Sequence, residues 1–334
     1  MRHLLLAATA ASALAYGFAS PARAQTAPAA SAPSPVALID ALEGTFGKRD
    51  GFRRSHAKGI CATGTFVGTP EGVALSRAQM FDGRSVPATL RFSVGGGNPM
   101  LSDKSRSVRG LAMALDLPQG QAFHTAMLSA PVFFVATPEQ FVGFLQSRAP
   151  DPATRMPDPA KIAAFNAANP ETGPQIRWLA ANAPPASYAS AAYHGINAFS
   201  FTNAAGQQAW VRWSFQPAGG TQGLTAEQMQ AMPDNFLPDE LRTRIAAAPA
   251  VFNMVVQVAE AGDSLTNPTV EWPAQRRSVT VGRLTVTGVS PDDGGACRAQ
   301  IFNPLVLPAG IAPSADPTLQ ARPASYAVSA ARRQ

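Results

Sequence analysis

RRSHAKGICATGTF, residues 53–66, runs from a polar, cationic approach into a strand expected over Ile60–Val67. His56 stands on that approach, three residues after Arg53. A second strand is expected over Ala88–Val94 and carries Arg91-Phe92-Ser93. Residues two apart on a strand share a face, so Arg91 and Ser93 look into one space. Arg91 suits a carboxylate there, and Ser93 suits the orientation of an imidazole.

Working outward, Leu38, Leu42 and Phe46 fall at i, i+4 and i+8, one face of a short amphipathic helix closed by Gly44 or Gly47. Further strands are expected over Val108–Leu115, Pro131–Val135, Ala198–Thr202, Gln208–Phe215, Val251–Val258 and Val279–Val286. Asn203-Ala204-Ala205-Gly206 reads as a hairpin turn. Helical patterns are confined to Pro138–Arg148, Ala160–Ala168, Asp239–Ala247 and the C-terminus. The Ala- and Pro-rich stretch 145–190 reads mainly as a long loop wrapping the surface. Many consecutive strands with few helices define an α+β chain, an antiparallel sheet or barrel with helical additions.

The chain has 334 residues, 46% of them hydrophobic and 14% charged, enough apolar material for a core. Two Cys and four His exclude clustered zinc ribbons, iron–sulfur clusters and multi-bridge disulfide scaffolds. Residues 1–24 read as a signal peptide: Arg2 and His3, the apolar run Leu4–Ala15, then small residues around Ala24. Residues 25–35 read as a disordered leader and 36–334 as one folded domain. A periplasmic location and no stable membrane insertion follow as expectations. Without Arg2 and Arg23 the net charge falls from +6 to +4, which is no nucleic-acid signature. In an oxidising compartment Cys61 and Cys297 either form a disulfide or stay as separate buried thiols; the sequence leaves both open.

Near the C-terminus, Asp316-Pro317 reads as the N-cap and first position of a helix that Pro323 kinks or interrupts. Arg322 and Tyr326, at i and i+4, touch on one face, and a guanidinium beside a phenol favours the phenolate.

Taken together these pieces resemble the haem catalase superfamily over most of the mature chain. Arg53–Phe66 is similar to its distal segment, and RFSV at Arg91–Val94 and SVRGLAMALD at Ser107–Asp116 to the next two strands. PVFF at Pro131–Phe134, with Phe141, is similar to its haem-packing aromatics. FNPLVLPAGIAPSADPTLQARPASY, ending at Tyr326, is similar to the proximal helix and its approach. The resemblance implies a catalase-like antiparallel barrel with a C-terminal proximal helix and a haem b cofactor. It implies Tyr326 as iron ligand supported by Arg322, His56 as general acid/base, and Ser93 as its hydrogen-bond partner. It also implies Arg53, Arg91 and Arg333 at the haem propionates, and Phe134 and Phe141 packed on the distal side.

Three departures narrow this expectation. Leu128 stands where full catalases have a distal Asn. Ser214 stands where they have a proximal-side His. The chain runs only eight residues past Tyr326, so the family's wrapping and C-terminal helical regions, any NADPH site and much of an interlocked tetramer are expected to be missing. The pattern resembles the catalase-related peroxidases. That implies reduction of hydrogen peroxide and alkyl hydroperoxides by a small organic reductant, with weak catalase activity, in a monomer or small homo-oligomer. A hydroperoxide isomerase of the allene-oxide-synthase type and a non-catalytic haem-binding protein remain as alternatives.

Overall fold

The computed structural model describes residues 32–291 and 295–333; the expected signal peptide and most of the leader lie outside them. Helix α1 (Pro35–Phe46) begins where the Ser34 hydroxyl accepts from the Ala37 amide and Pro35 takes the first turn, where no N–H is needed. It ends at Gly47. There follow β1 (Gly59–Gly68), α2 (Pro70–Leu75), β2 (Ser85–Val94), β3 (Arg109–Asp116), β4 (Ala122–Leu128), α3 (Pro138–Arg148), α4 (Pro159–Ala168) and α5 (Gly173–Ala181). The second half comprises β5 (Tyr193–His194), β6 (Phe199–Thr202), β7 (Gln208–Pro217), α6 (Ala226–Ala231), α7 (Leu237–Ala247), β8 (Ala250–Val258), β9 (Ser278–Ser290), β10 (Ile311–Pro313) and α8 (Pro317–Ala331).

The strands pair in the order β7-β5-β4-β3-β2-β1-β9-β8, and β8 returns to β7. Eight antiparallel strands thus close on themselves, which removes their exposed edges, while β6 and β10 extend from β7. Period-two alternation then divides the strands into two faces. Leu90 and Phe92 of β2, Leu111 and Met113 of β3 and Phe252 and Met254 of β8 fill the interior. There the Phe92 ring stacks on Tyr188 at 5.5 Å. The intervening residues of β2, β3 and β4 face outward in matched rows. Arg91 lies opposite Ala112 and Ala112 opposite Ala126; Ser93 lies opposite Gly110 and Gly110 opposite Leu128.

Two readings need correction. Pro131–Val135 is not a strand; the strand in that region is β4, just before it. Pro131 has no N–H to give a ladder. The backbone beyond it is satisfied by loops, with Phe133 N–H donating to Pro268 O and Val132 O accepting from the Gln175 side chain. Nor is 145–190 mainly loop, because α4 and α5 occupy much of it. Pro159 and Pro174 sit in the first turns of these helices, where proline is tolerated. In addition, α8 continues through Pro323. Cys61 and Cys297 are joined as a disulfide with their Cα atoms 5.4 Å apart. Among the described residues no helix is long and apolar enough to cross a membrane.

Candidate active site

The outward rows of β2–β4 form the floor of a cavity of about 620 Å³, walled by α1, α3, α8 and the segment around Phe302. His56, Ser93, Arg53 and Arg91 line it from one side, and Arg322, Tyr326 and Arg333 from α8 and the turn after it. Phe134 and Phe141 complete the wall, with ring centroids 5.6 Å apart. Every site residue expected from the sequence therefore reaches one cavity. Its lining holds five arginines, Arg53, Arg91, Arg106, Arg322 and Arg333, and no acid among the described residues. Such a cavity attracts anions.

His56 has a backbone φ of 53°, a region that few non-glycine residues adopt. The turn is held by Arg91, whose guanidinium donates to His56 O at 2.9 Å and to Ala57 O at 3.3 Å. Beyond it, Lys58 is anchored by an ion pair with buried Asp103 at 2.8 Å. The imidazole Nδ1 lies 2.9 Å from Ser93 Oγ, leaving Nε2 for the cavity. A glycine is required beneath the ring: a Cβ at Gly110 would come within 2.6 Å of Ser93 Oγ and 2.8 Å of His56 Nδ1.

Burial, reinforced by Arg91, Arg322 and Arg53, lowers the His56 pKa from 6.5 to about 3. The ring is neutral at physiological pH and able to accept a proton. The same shift acts on stability. Between pH 6.5 and about 3 the unfolded chain takes up a proton here that the folded chain does not. This contribution is therefore complete above pH 6.5 and declines as the pH falls to 3. His194, lowered to about 4 by burial, has the same sign. Chemical denaturation is expected to show stability decreasing over this window, with a smaller decrease in His56→Ala.

On α8, the side chain of Arg322 is committed at three points. Its Nε donates to Tyr326 Oη at 2.8 Å, and its terminal nitrogens donate to Asn197 Oδ1 and Ala126 O, each at 3.1 Å. Asn197 in turn donates to Asp316 Oδ2 at 2.7 Å. Asp316 caps α8 by accepting from the Thr318 and Leu319 amides. Asn197 is thus a partner that Arg322 meets. Ser214 accepts from Gln216 and pairs across β5 with His194. Sequence reasoning missed Asn197 because it lies 125 residues from Arg322 on an irregular segment with no motif around it. It also missed Arg106, and the role of the α1 face carrying Leu38, Leu42 and Phe46 in lining the cavity. Asp316 was legible, as a cap.

The two ends of the described chain meet at this wall. Arg332 bridges Asp40 and Glu43 of α1 at 2.7 and 2.8 Å, and Arg54 pairs with the same Glu43 and donates to Arg332 O.

The catalase family model matches residues 35–334. The chain belongs to the catalase family. Relatives of this catalase-family chain include a catalase-related peroxidase of Synechococcus elongatus, 43% identical over 91% of this chain and 90% of that one. Another, from Mycolicibacterium paratuberculosis, is 36% identical over 89% of this chain and 93% of the relative. Catalase A from Saccharomyces cerevisiae superposes with a TM-score of 0.76 at 24% identity, over 89% of this chain and 64% of that one. A fungal catalase gives 0.77 at 24% identity, over 85% and 60%. These two structures establish the fold as catalase-like, and this chain spans a little over three fifths of their length at most.

Family membership implies a haem cofactor. The donor set is compatible with one. Among the described residues there is no group of three His, Cys, Asp or Glu placed to hold a metal ion by itself. The cavity offers a phenol oxygen, arginines for carboxylates and apolar walls, over a floor made flat by Gly110, Ala112 and Ala126.

Proposed function

We propose that this chain is a haem b peroxidase of the periplasm, reducing hydrogen peroxide and alkyl hydroperoxides at the expense of a small organic reductant. The reading is carried by one observation: the His56–Ser93 pair and the Arg322–Tyr326 pair open into the same arginine-lined cavity. In this reading Tyr326 Oη ligates the iron, and Arg53, Arg91 and Arg333 hold the propionates. Phe134 and Phe141 pack against the distal side. When bound, haem b supplies a Lewis-acidic iron and the electrons for cleaving the O–O bond.

The chain's own residues do the rest. Arg322 donates to the Tyr326 oxygen at 2.8 Å and so supports that oxygen as an anionic ligand to a metal. Asn197 and Asp316 hold Arg322 in place through the chain of bonds behind it. Ser93 fixes the imidazole through Nδ1, so that Nε2 takes the peroxide proton and returns it to the leaving oxygen as water or alcohol forms. Overall ROOH gains two electrons and two protons, and the reductant supplies them.

Leu128 sets the balance between this reaction and dismutation. Its side chain lines the cavity from β4 and cannot donate a hydrogen bond to a second peroxide. Leu128→Asn is expected to raise the ratio of catalase to peroxidase activity about tenfold, the value of one well-placed hydrogen bond. An unchanged ratio in parallel oxygen-evolution and donor-oxidation assays would remove Leu128 from this role.

The test of the function as a whole is an absorption titration of the purified holoprotein with hydrogen peroxide, with and without a phenolic donor. A ferric phenolate spectrum that changes on peroxide addition and recovers only with donor is expected. Turnover of a hydroperoxide with no donor consumed would overturn the peroxidase reading in favour of isomerisation.

A further inference from the structure

The Cys61–Cys297 disulfide lies beside the arginines of the cavity, and its surroundings link it to each of three. Cys61 on β1 is the cross-strand partner of Arg91. Cys297 offers its own carbonyl to Arg53 at 2.9 Å, and the same guanidinium nitrogen reaches Gln300 O at 3.1 Å. Arg333 donates to Arg298 O at 2.9 Å. The Arg53 guanidinium also lies 5.9 Å from the centre of the Phe302 ring. Phe302 packs in a small buried cluster with both cysteines and Ala114.

Apart from short turns at Gly295–Arg298 and Ile301–Asn303, residues 295–302 have no regular structure of their own. Their carbonyls nevertheless act as fixed acceptors for two guanidinium groups. An irregular segment holds such acceptors in place only if something else restrains it. The disulfide supplies a covalent restraint, tying the segment to a central barrel strand 236 residues earlier. The fit on β1 is close: a Cβ added at Gly295 would meet Cys61 Cβ at 2.5 Å and Sγ at 2.6 Å.

We propose that the Cys61–Cys297 bridge is a positioning element of the cofactor site. By holding 295–302 on β1 it fixes the Cys297 and Gln300 carbonyls that aim Arg53 into the cavity, and so sets how firmly the cofactor's carboxylates are gripped. This rests on the haem reading above.

The experiment is the rate of haem loss from the holoprotein to an excess of a haem-scavenging globin, which requires no turnover. Removing the bridge with Cys61→Ser and Cys297→Ser together is expected to speed loss about tenfold, the cost of misaiming a charge-assisted hydrogen bond. Arg53→Gln alone should give a similar acceleration. Combining Arg53→Gln with the two serines should add little, because the bridge acts through that arginine. A bridge that merely stabilised the barrel would instead give effects that multiply. Gly295→Ala keeps both cysteines but crowds the segment against Cys61 and Ser290 of β1 and β9; it should speed haem loss in the parent but not in the Arg53→Gln background. Unchanged haem loss in the bridge-free protein, or in Gly295→Ala if the bridge-free protein does not fold, overturns the proposal. So do effects that multiply. Failure to bind haem at all in the parent protein would instead refute the cofactor reading on which the proposal stands.

Discussion

Replacing His56 by Ala is expected to lower kcat/KM for hydrogen peroxide by about 100- to 10,000-fold, the usual contribution of a positioned acid/base group. Cofactor content should stay near that of the parent. The ring stands over Gly110 and bonds Ser93, and both of these can stay in place without it. The burial and the three arginines that keep the imidazole neutral also make it irreplaceable by a nearby group. Among the cavity's described lining residues there is no carboxylate and no other histidine to accept the proton. The check is the pseudo-first-order reaction of the loaded protein with peroxide, followed by rapid mixing. Activity within about threefold of the parent would take His56 out of the chemistry.

Tyr326→Phe is expected to act on binding as well as on turnover. It deletes the phenol oxygen while leaving Arg322 fastened to Asn197 and Ala126, so a cationic donor remains without its third partner. Loss of an outer-shell partner typically costs about 10- to 100-fold in metal affinity, and loss of the ligand itself should cost more. Preparations should carry little haem, and added haem should lack the absorption of a ferric phenolate. Arg322→Gln gives the graded comparison: the oxygen stays, its positive partner goes, and haem is retained more weakly with an altered spectrum. Full retention of haem and of the parent spectrum in Tyr326→Phe would exclude Tyr326 as the ligand.

Much of this arrangement is legible in the sequence because it is encoded locally. Arg91 and Ser93 share a face by strand alternation, Arg322 and Tyr326 by helical spacing, and Asp316-Pro317 announces a helix start. What escaped was set by pairing between distant segments. β4 was missed although Phe123, Thr125 and Met127 alternate inward, because His124 and small alanines between them blur the pattern. The apolar PVFF run took its place, yet its aromatic rings serve the cavity wall instead of a ladder. Asn197 has no local signature at all, and its role exists only where Arg322 arrives from the other end of the chain. The cysteines illustrate the same limit. Whether two thiols 236 residues apart meet depends on the barrel that brings them together.

The contact between α1 and the end of α8 makes the site a product of long-range folding. The cavity wall draws on residues from Leu38 to Arg333, so the site is complete only once α1 has met α8. Bringing segments so far apart in sequence together carries a loop-closure entropy that local contacts do not. Cofactor capture is therefore expected to follow the docking of α1 on α8. Any haem bound then stabilises the finished barrel and its joined ends together, by mass action.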